Sequence, residues 1–210
     1  MPGSGCGNTA QETTLPYLHS KLTNKGIFYP SINERQFAVT GLTISEFPSQ
    51  ISQKVLETLN LSGSDYEIIE IDPDFADTAE FCQKYEYPLE NSGNTIIVAS
   101  KKDPVQYSAC LVKATDRLDV NNTVRKLMGV RKLSFATREQ TIVLTGMEIG
   151  GVTPFALPED LPIYIDQNVM GLEYVILGSG VRSSKVKASP EILMKSPNTQ
   201  VISGLSLITG

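Results

Sequence analysis

The feature that most restricts the fold of this chain is a pair of adjacent apolar, β-rich runs. Asn94 to Ser100 and Gln106 to Lys113 are separated by a short connector containing Lys101-Lys102-Asp103-Pro104, a charged turn of hairpin type. Around this pair, helical and extended patterns alternate. An antiparallel pair inside such an order predicts an α/β fold built on a mixed, partly antiparallel curved sheet with surrounding helices. It excludes a simple doubly wound parallel sheet.

The other elements follow from spacing and punctuation. Ile51, Val55, Leu56 and Leu59 recur at helical spacing after Pro48-Ser49, and Leu61-Ser62-Gly63 closes that helix. Tyr66 to Ile71 alternates as a strand. Asp77-Thr78-Ala79-Glu80 opens a helix that must end before Pro88, because the residue preceding proline avoids the helical region. Leu118-Asp119 leads into a predicted helix over Val124, Leu127 and Met128, ending at Gly129, and a short strand follows at Lys132 to Phe135. Thr137 with Gln140 three residues later offers a capping box for a helix that stops at Gly146. Pro162 to Asp166 and Glu173 to Leu177 read as strands, with a sharp turn at Gly178-Ser179-Gly180. Ser189-Pro190-Glu191 places an N-cap, a first-turn proline and an acid before Ile192 and Leu193.

With 210 residues, 40% of them hydrophobic, the chain is long enough for one substantial core. Residues 1–46 are expected to form an N-terminal extension with a flexible start, and 47–210 one domain. The longest apolar stretches fall far short of the roughly 20 residues of a membrane-spanning helix, and Met1 to Asn8 lacks the features of a signal peptide, so a soluble cytoplasmic protein is expected. Cys6, Cys82 and Cys110 are odd in number and widely spaced, fitting neither a disulfide framework nor a zinc site. The single histidine, His19, argues against a Ser-His-Asp triad, a Cys-His dyad or a histidine-rich metal centre. Neither a metal nor another cofactor is expected. The net charge of −5 speaks against wholesale binding of nucleic acid, although Arg125, Lys126, Arg131 and Lys132 cluster, as do Arg182, Lys185 and Lys187. Either cluster could equally be a solvated face.

The most unusual loop is Gly146-Met147-Glu148-Ile149-Gly150-Gly151-Val152-Thr153-Pro154-Phe155. Preceded by Lys132-Leu133-Ser134-Phe135-Ala136 and followed by Leu161-Pro162-Ile163-Tyr164-Ile165-Asp166, then by Gly178-Ser179-Gly180 and Ser189-Pro190-Glu191-Ile192-Leu193, it is the centre of a longer pattern. From about Val55 to Gly204 that pattern resembles the YbaK / prolyl-tRNA-synthetase-associated domain family. Members of that family remove wrong amino acids from tRNA. The resemblance implies that Gly150 to Pro154 is the family's loop of a glycine, three residues and a proline. It implies an ester between an amino acid and the terminal adenosine as substrate, hydrolysed without metal and with help from the neighbouring ribose hydroxyl. Gly150, Gly151 and Pro154 carry over as the catalytic loop. Backbone amides freed by the glycines can approach a carbonyl or a water closely.

One position departs from the family pattern. Where a lysine precedes Thr95 in the family, this chain has Asn94, which donates a hydrogen bond but carries no charge. Lys101 and Lys102 stand too far along the strand to substitute, at about 3.3 Å per residue. Arg182, beyond the second glycine turn, is the expected replacement from across the pocket. Asn94 is counted with Gly150, Gly151 and Pro154 as a catalytic candidate, and Thr95, Thr153, Asp166, Gly178, Ser179, Gly180 and Arg182 are candidate substrate-binding residues. Asp166 could be a general base or a helix cap, the Gly178-Ser179-Gly180 turn could cradle a phosphate, and Tyr164 or Phe155 could stack on adenine or form pocket wall. Three functions stay open: a trans-acting aminoacyl-tRNA deacylase with a mischarged tRNA acceptor end as partner, a catalytically silent member that binds tRNA, an aminoacyl group or a protein, and a hydrolase of another small ester or amide.

Overall fold

The computed structural model describes residues 47–208. The readings made for 1–46, including those at Cys6 and His19, lie outside the described residues. In chain order the elements are α1 (Phe47–Ser62), β1 (Tyr66–Glu70), α2 (Thr78–Tyr85), β2 (Gly93–Ser100), β3 (Tyr107–Lys113), β4 (Asp116–Leu118), α3 (Arg125–Leu127), β5 (Leu133–Phe135), α4 (Arg138–Thr145), β6 (Ile163–Asp166), α5 (Gln167–Met170), β7 (Val175–Gly178), β8 (Ser184–Ala188), β9 (Thr199–Ile202) and β10 (Ser206–Ile208). No helix among the described residues is long and apolar enough to cross a membrane.

The expected hairpin is the centre of the molecule. β2 and β3 pair antiparallel from Gly93 opposite Lys113 to Ala99 opposite Tyr107. β5 adds antiparallel to β2, and β6 and β9 extend the other side in parallel, giving a mixed five-stranded sheet in the order β5-β2-β3-β6-β9. β1, β8 and β7 form a separate antiparallel sheet, and β10 pairs with β4.

Alternation along the five-stranded sheet sorts its residues into two cores. Ile97, Ala99, Ala109, Leu111, Ile163 and Ile165 face one side, where they pack with Ile51, Val55 and Leu59 of α1 and with Val175 and Leu177 of β7. Val98, Cys110, Val112 and Tyr164 face the other, against Val120, Val124 and Leu205. Burial of this kind removes apolar surface from water at about 25 cal/mol per Å², the main force holding the sheet to its neighbours. A third cluster of Ile71, Ala76, Phe81, Cys82 and Ile176 packs α2 onto the smaller sheet. The two sheets meet along β2 and β7, tied by a bridge between Ser92 and Ile176.

The predicted capping box is present: the Gln140 N–H donates to Thr137 Oγ1 at 3.2 Å and the Thr137 N–H donates to Gln140 Oε1 at 2.9 Å. The helix expected over Val124 to Met128 differs. Its first turn, Val120–Val124, is a wide π turn, and only Arg125–Leu127 is α-helical. Asp119 caps this turn. Its carboxylate accepts from the N–H groups of Asn122 and Thr123, while its carbonyl accepts from Val124. The segment after Ser189 is 3-10 rather than α-helical, over Pro190–Lys195.

Candidate functional site

A cavity of about 340 Å³ lies at the seam between the two sheets. Asp77 and Thr78 at the start of α2, Asn94 and Thr95 on β2, Gly150 in the glycine-rich loop, Gly178 at the end of β7 and Lys185 on β8 contribute to its lining, with Phe135, Ile97 and Leu177 supplying apolar surface. Residues from Asp77 to Lys185, on six separate stretches, thus meet at one place.

The loop owes its position to the second glycine turn. α4 ends at Gly146 in the left-handed conformation, φ 71°, the usual way for a glycine to close a helix. Beyond it, the Glu148 N–H donates to Gly180 O at 3.0 Å and the Gly180 N–H donates to Gly151 O at 2.7 Å, so the two glycine segments clasp each other. Gly150 sits at φ +92°, where a side chain would be strained and its Cβ would fall 2.5 Å from Arg182 Nη1. At Gly151 a Cβ would lie 2.4 Å from Val181 O, and at Gly178 it would lie 2.3 Å from Gly151 O. Gly151 and Gly178 are required by backbone packed against backbone, and Gly150 by its positive φ beside the Arg182 side chain.

This packing corrects several expectations. Gly151 cannot offer its amide to a ligand, because that N–H already donates to Glu148 O at 2.9 Å. Nor does the Gly178-Ser179-Gly180 turn make an open phosphate cradle: the Gly180 amide is spent on Gly151, and the buried Ser179 hydroxyl is held by Ser184 O at 2.9 Å and Ser184 Oγ at 2.8 Å. Thr153 is fully buried behind the loop, and Pro154 lines a different cavity, of about 530 Å³, with Phe155 and the end of α1. Asp166 is 1% exposed and caps α5, its carboxylate accepting from the N–H groups of Asn168 at 2.7 Å and Ser206 at 2.6 Å. It does not line the seam cavity, and both oxygens are occupied by main-chain donors. Tyr164 and Phe155 are buried in separate cores.

Arg182 is a brace. Its Nε donates to Pro73 O at 3.0 Å, its Nη1 donates to Ile149 O at 2.9 Å and lies 3.5 Å from Asp77 Oδ1, and its own N–H donates to Glu148 Oε2 at 2.7 Å. The guanidinium fixes the segment before α2 to the glycine-rich loop and does not line the cavity. Asn94 does line it. Thr78 Oγ1 donates to Asn94 Oδ1 at 2.8 Å, which leaves the amide nitrogen of Asn94 as its remaining donor group.

Sequence reasoning missed two residues. Lys185 was grouped with Arg182 and Lys187 as a basic cluster, yet it is only 5% exposed and its ammonium lies inside the molecule. Lys185 Nζ donates to Ala76 O at 2.6 Å and to Gly150 O at 3.0 Å, with the Phe81 ring 5.7 Å away. Burial pushes its pKa down to about 8, Asp77 pulls it back up and Arg182 lowers it further. The one sequence signal was its alternation with Val186, which puts the two on opposite faces of β8. Phe135 is the second: it is 59% exposed at the cavity's edge, an aromatic ring left open to solvent on a short strand.

Comparison with known proteins places this geometry. The profile of the aminoacyl-tRNA editing domain matches residues 72–195, which include Asn94, the glycine-rich loop and Lys185. The uncharacterized protein YwhH of Bacillus subtilis (strain 168) is 31% identical over 83 residues, 40% of this chain and 52% of that protein, so the match spans about half of the relative's length. Among solved structures, the hypothetical protein APE2540 superposes with a TM-score of 0.65 at 23% identity, covering 73% of this chain and 99% of that one, a likeness of fold. A protein described as "a putative trans-editing enzyme for prolyl tRNA synthetase" superposes with a TM-score of 0.64 at 25% identity, covering 76% and 98%. With more than half of its length matched by that profile, the chain belongs to the aminoacyl-tRNA editing domain family.

Proposed function

We propose that this protein is a trans-acting aminoacyl-tRNA deacylase that takes the charged 3′ end of a mischarged tRNA into the seam cavity. The observation that carries the reading is the meeting of Gly150, Asn94 and Lys185 around one cavity inside the segment matched by the editing-domain profile. The likeness to a protein described as a trans-editing enzyme supports action in trans.

In this reading water adds to the acyl carbon, the bond from that carbon to the ribose oxygen breaks, and one water proton ends on the released ribose hydroxyl. The products are free amino acid and uncharged tRNA. Gly150 brings main chain to the ester with no side chain in the way, and the Asn94 amide donates to the ribose or the acyl group. Phe135 offers its open ring to the terminal base, since stacking on an aromatic accepts any base.

The test is to incubate the purified protein with a panel of mischarged tRNAs and follow release of free amino acid. At least one should be deacylated well above the spontaneous rate, and Gly150→Ala should abolish that excess, because the new methyl would sit at φ +92° against Arg182. If no tRNA is deacylated and Asn94→Lys restores turnover, the chain is a silent member of its family. If neither protein acts, the deacylase reading is wrong.

A further inference from the structure

Among the described residues, Lys185 is the one cationic side chain in the lining of the seam cavity, and nothing about its place is typical of a surface lysine. It lies at the centre of three stranded elements, opposite Ile69 of β1 and Gly178 of β7. Gly178 lets the main chain of the glycine-rich loop pack directly against β7 beside it. Two of its three N–H donors are fixed by the carbonyls of Ala76 and Gly150, which hold the ammonium in one orientation. A buried ammonium is costly and is ordinarily matched by a carboxylate at contact distance. Among the described residues no carboxylate forms an ion pair with it: Asp77, whose charge favours the protonated lysine, pairs with Arg182 at 3.5 Å, and the ammonium's own contacts are two neutral carbonyls and the Phe81 ring. The charge is therefore under-compensated, and the cavity beside it is where a compensating negative charge would come from.

We propose that Lys185 is a catalytic residue of this site, its third N–H directed at the acyl carbonyl oxygen and stabilising the negative charge that gathers there as water adds. Lys185 thereby supplies from β8 the positive charge that Asn94 cannot supply from β2. The same ammonium holds Gly150 O, so the loop and the cation are set in register by one hydrogen bond. This inference rests on the deacylase reading of the cavity.

The experiment uses the full chain and the mischarged tRNA that it deacylates fastest, with spontaneous hydrolysis subtracted at each pH. Lys185→Met should lower kcat about a hundredfold or more and change KM less than threefold, the pattern of a donor that acts on the transition state. In the unaltered protein kcat should fall as pH rises through about 8, where Lys185 loses its proton, and Lys185→Arg should carry whatever activity it keeps to higher pH without that fall. Asp77, Arg182 and Cys82 are the other titratable or charged groups acting on Lys185, so Asp77→Asn serves as a control and should shift the fall to lower pH. Should Lys185→Met fail to fold, the pH profile decides alone. A kcat that is flat between pH 7 and 9.5, or a folded Lys185→Met variant with unaltered kcat, overturns the role of Lys185 while leaving the deacylase reading in place. Absence of deacylation of every tRNA by the unaltered protein overturns both.

Discussion

Gly178 lies so close to Gly151 that a methyl group on its Cα would fall 2.3 Å from the Gly151 carbonyl oxygen. The contact joins the end of β7 to the loop that lines the cavity, and both partners are main chain, so neither can swing aside. Gly178→Ala should destabilise the fold by about 3 kcal/mol, the upper part of the usual range for overpacking. Urea unfolding, read by circular dichroism, would show it as a lower midpoint with an unchanged slope. A midpoint equal to that of the unaltered protein would mean that the clasp between the glycine turns is loose.

Asp166 gives a contrasting case. Each of its oxygens accepts a main-chain N–H, from Asn168 and from Ser206, and an asparagine there would turn a donor toward one of them. Asp166→Asn should therefore cost about 2 kcal/mol of stability, while deacylation per folded molecule stays within threefold. Thermal melting and the tRNA assay measured on the same sample test both halves. A large drop in kcat with an unchanged melting temperature would return Asp166 to the chemistry.

Phe135 tests whether a base stacks at the cavity's edge. Its ring is mostly exposed, so Phe135→Ala should change stability by less than about 0.5 kcal/mol. Loss of a stacked base is worth about 1–3 kcal/mol, so KM for the mischarged tRNA should rise about tenfold with kcat nearly constant. Steady-state kinetics over a range of tRNA concentrations would show this, and an unchanged KM would assign Phe135 to the surface.

Local rules reached much of this architecture. The hairpin of β2 and β3 was legible because its connector and both apolar runs are contiguous, and the capping box at Thr137 and Gln140 because its two partners are three residues apart. What could not be read was whatever depends on contacts between distant segments. The parallel insertion of β6 between β3 and β9 leaves no mark in any one strand. Asp119 looked like an ordinary helix opener, yet its carbonyl accepts from Val124, five residues on, in the wider register of that turn. At the site, the motif pointed to Gly150 and Asn94, both at the cavity. It also drew in Pro154 and Asp166, which are near in sequence to the right elements but turned elsewhere. Lys185 escaped because charge suggests exposure, and the burial of its ammonium is decided by Ala76 and Gly150, 109 and 35 positions away.

The seam itself imposes an order of events. β2 and α2 line part of the cavity and β7 and β8 another part, so it is incomplete until the stretch bearing Lys185 has emerged and folded back onto β1. The cavity is thus a report on completed folding, and a molecule shortened before β8 would keep the lining from α2, β2 and β7 but lose the cation.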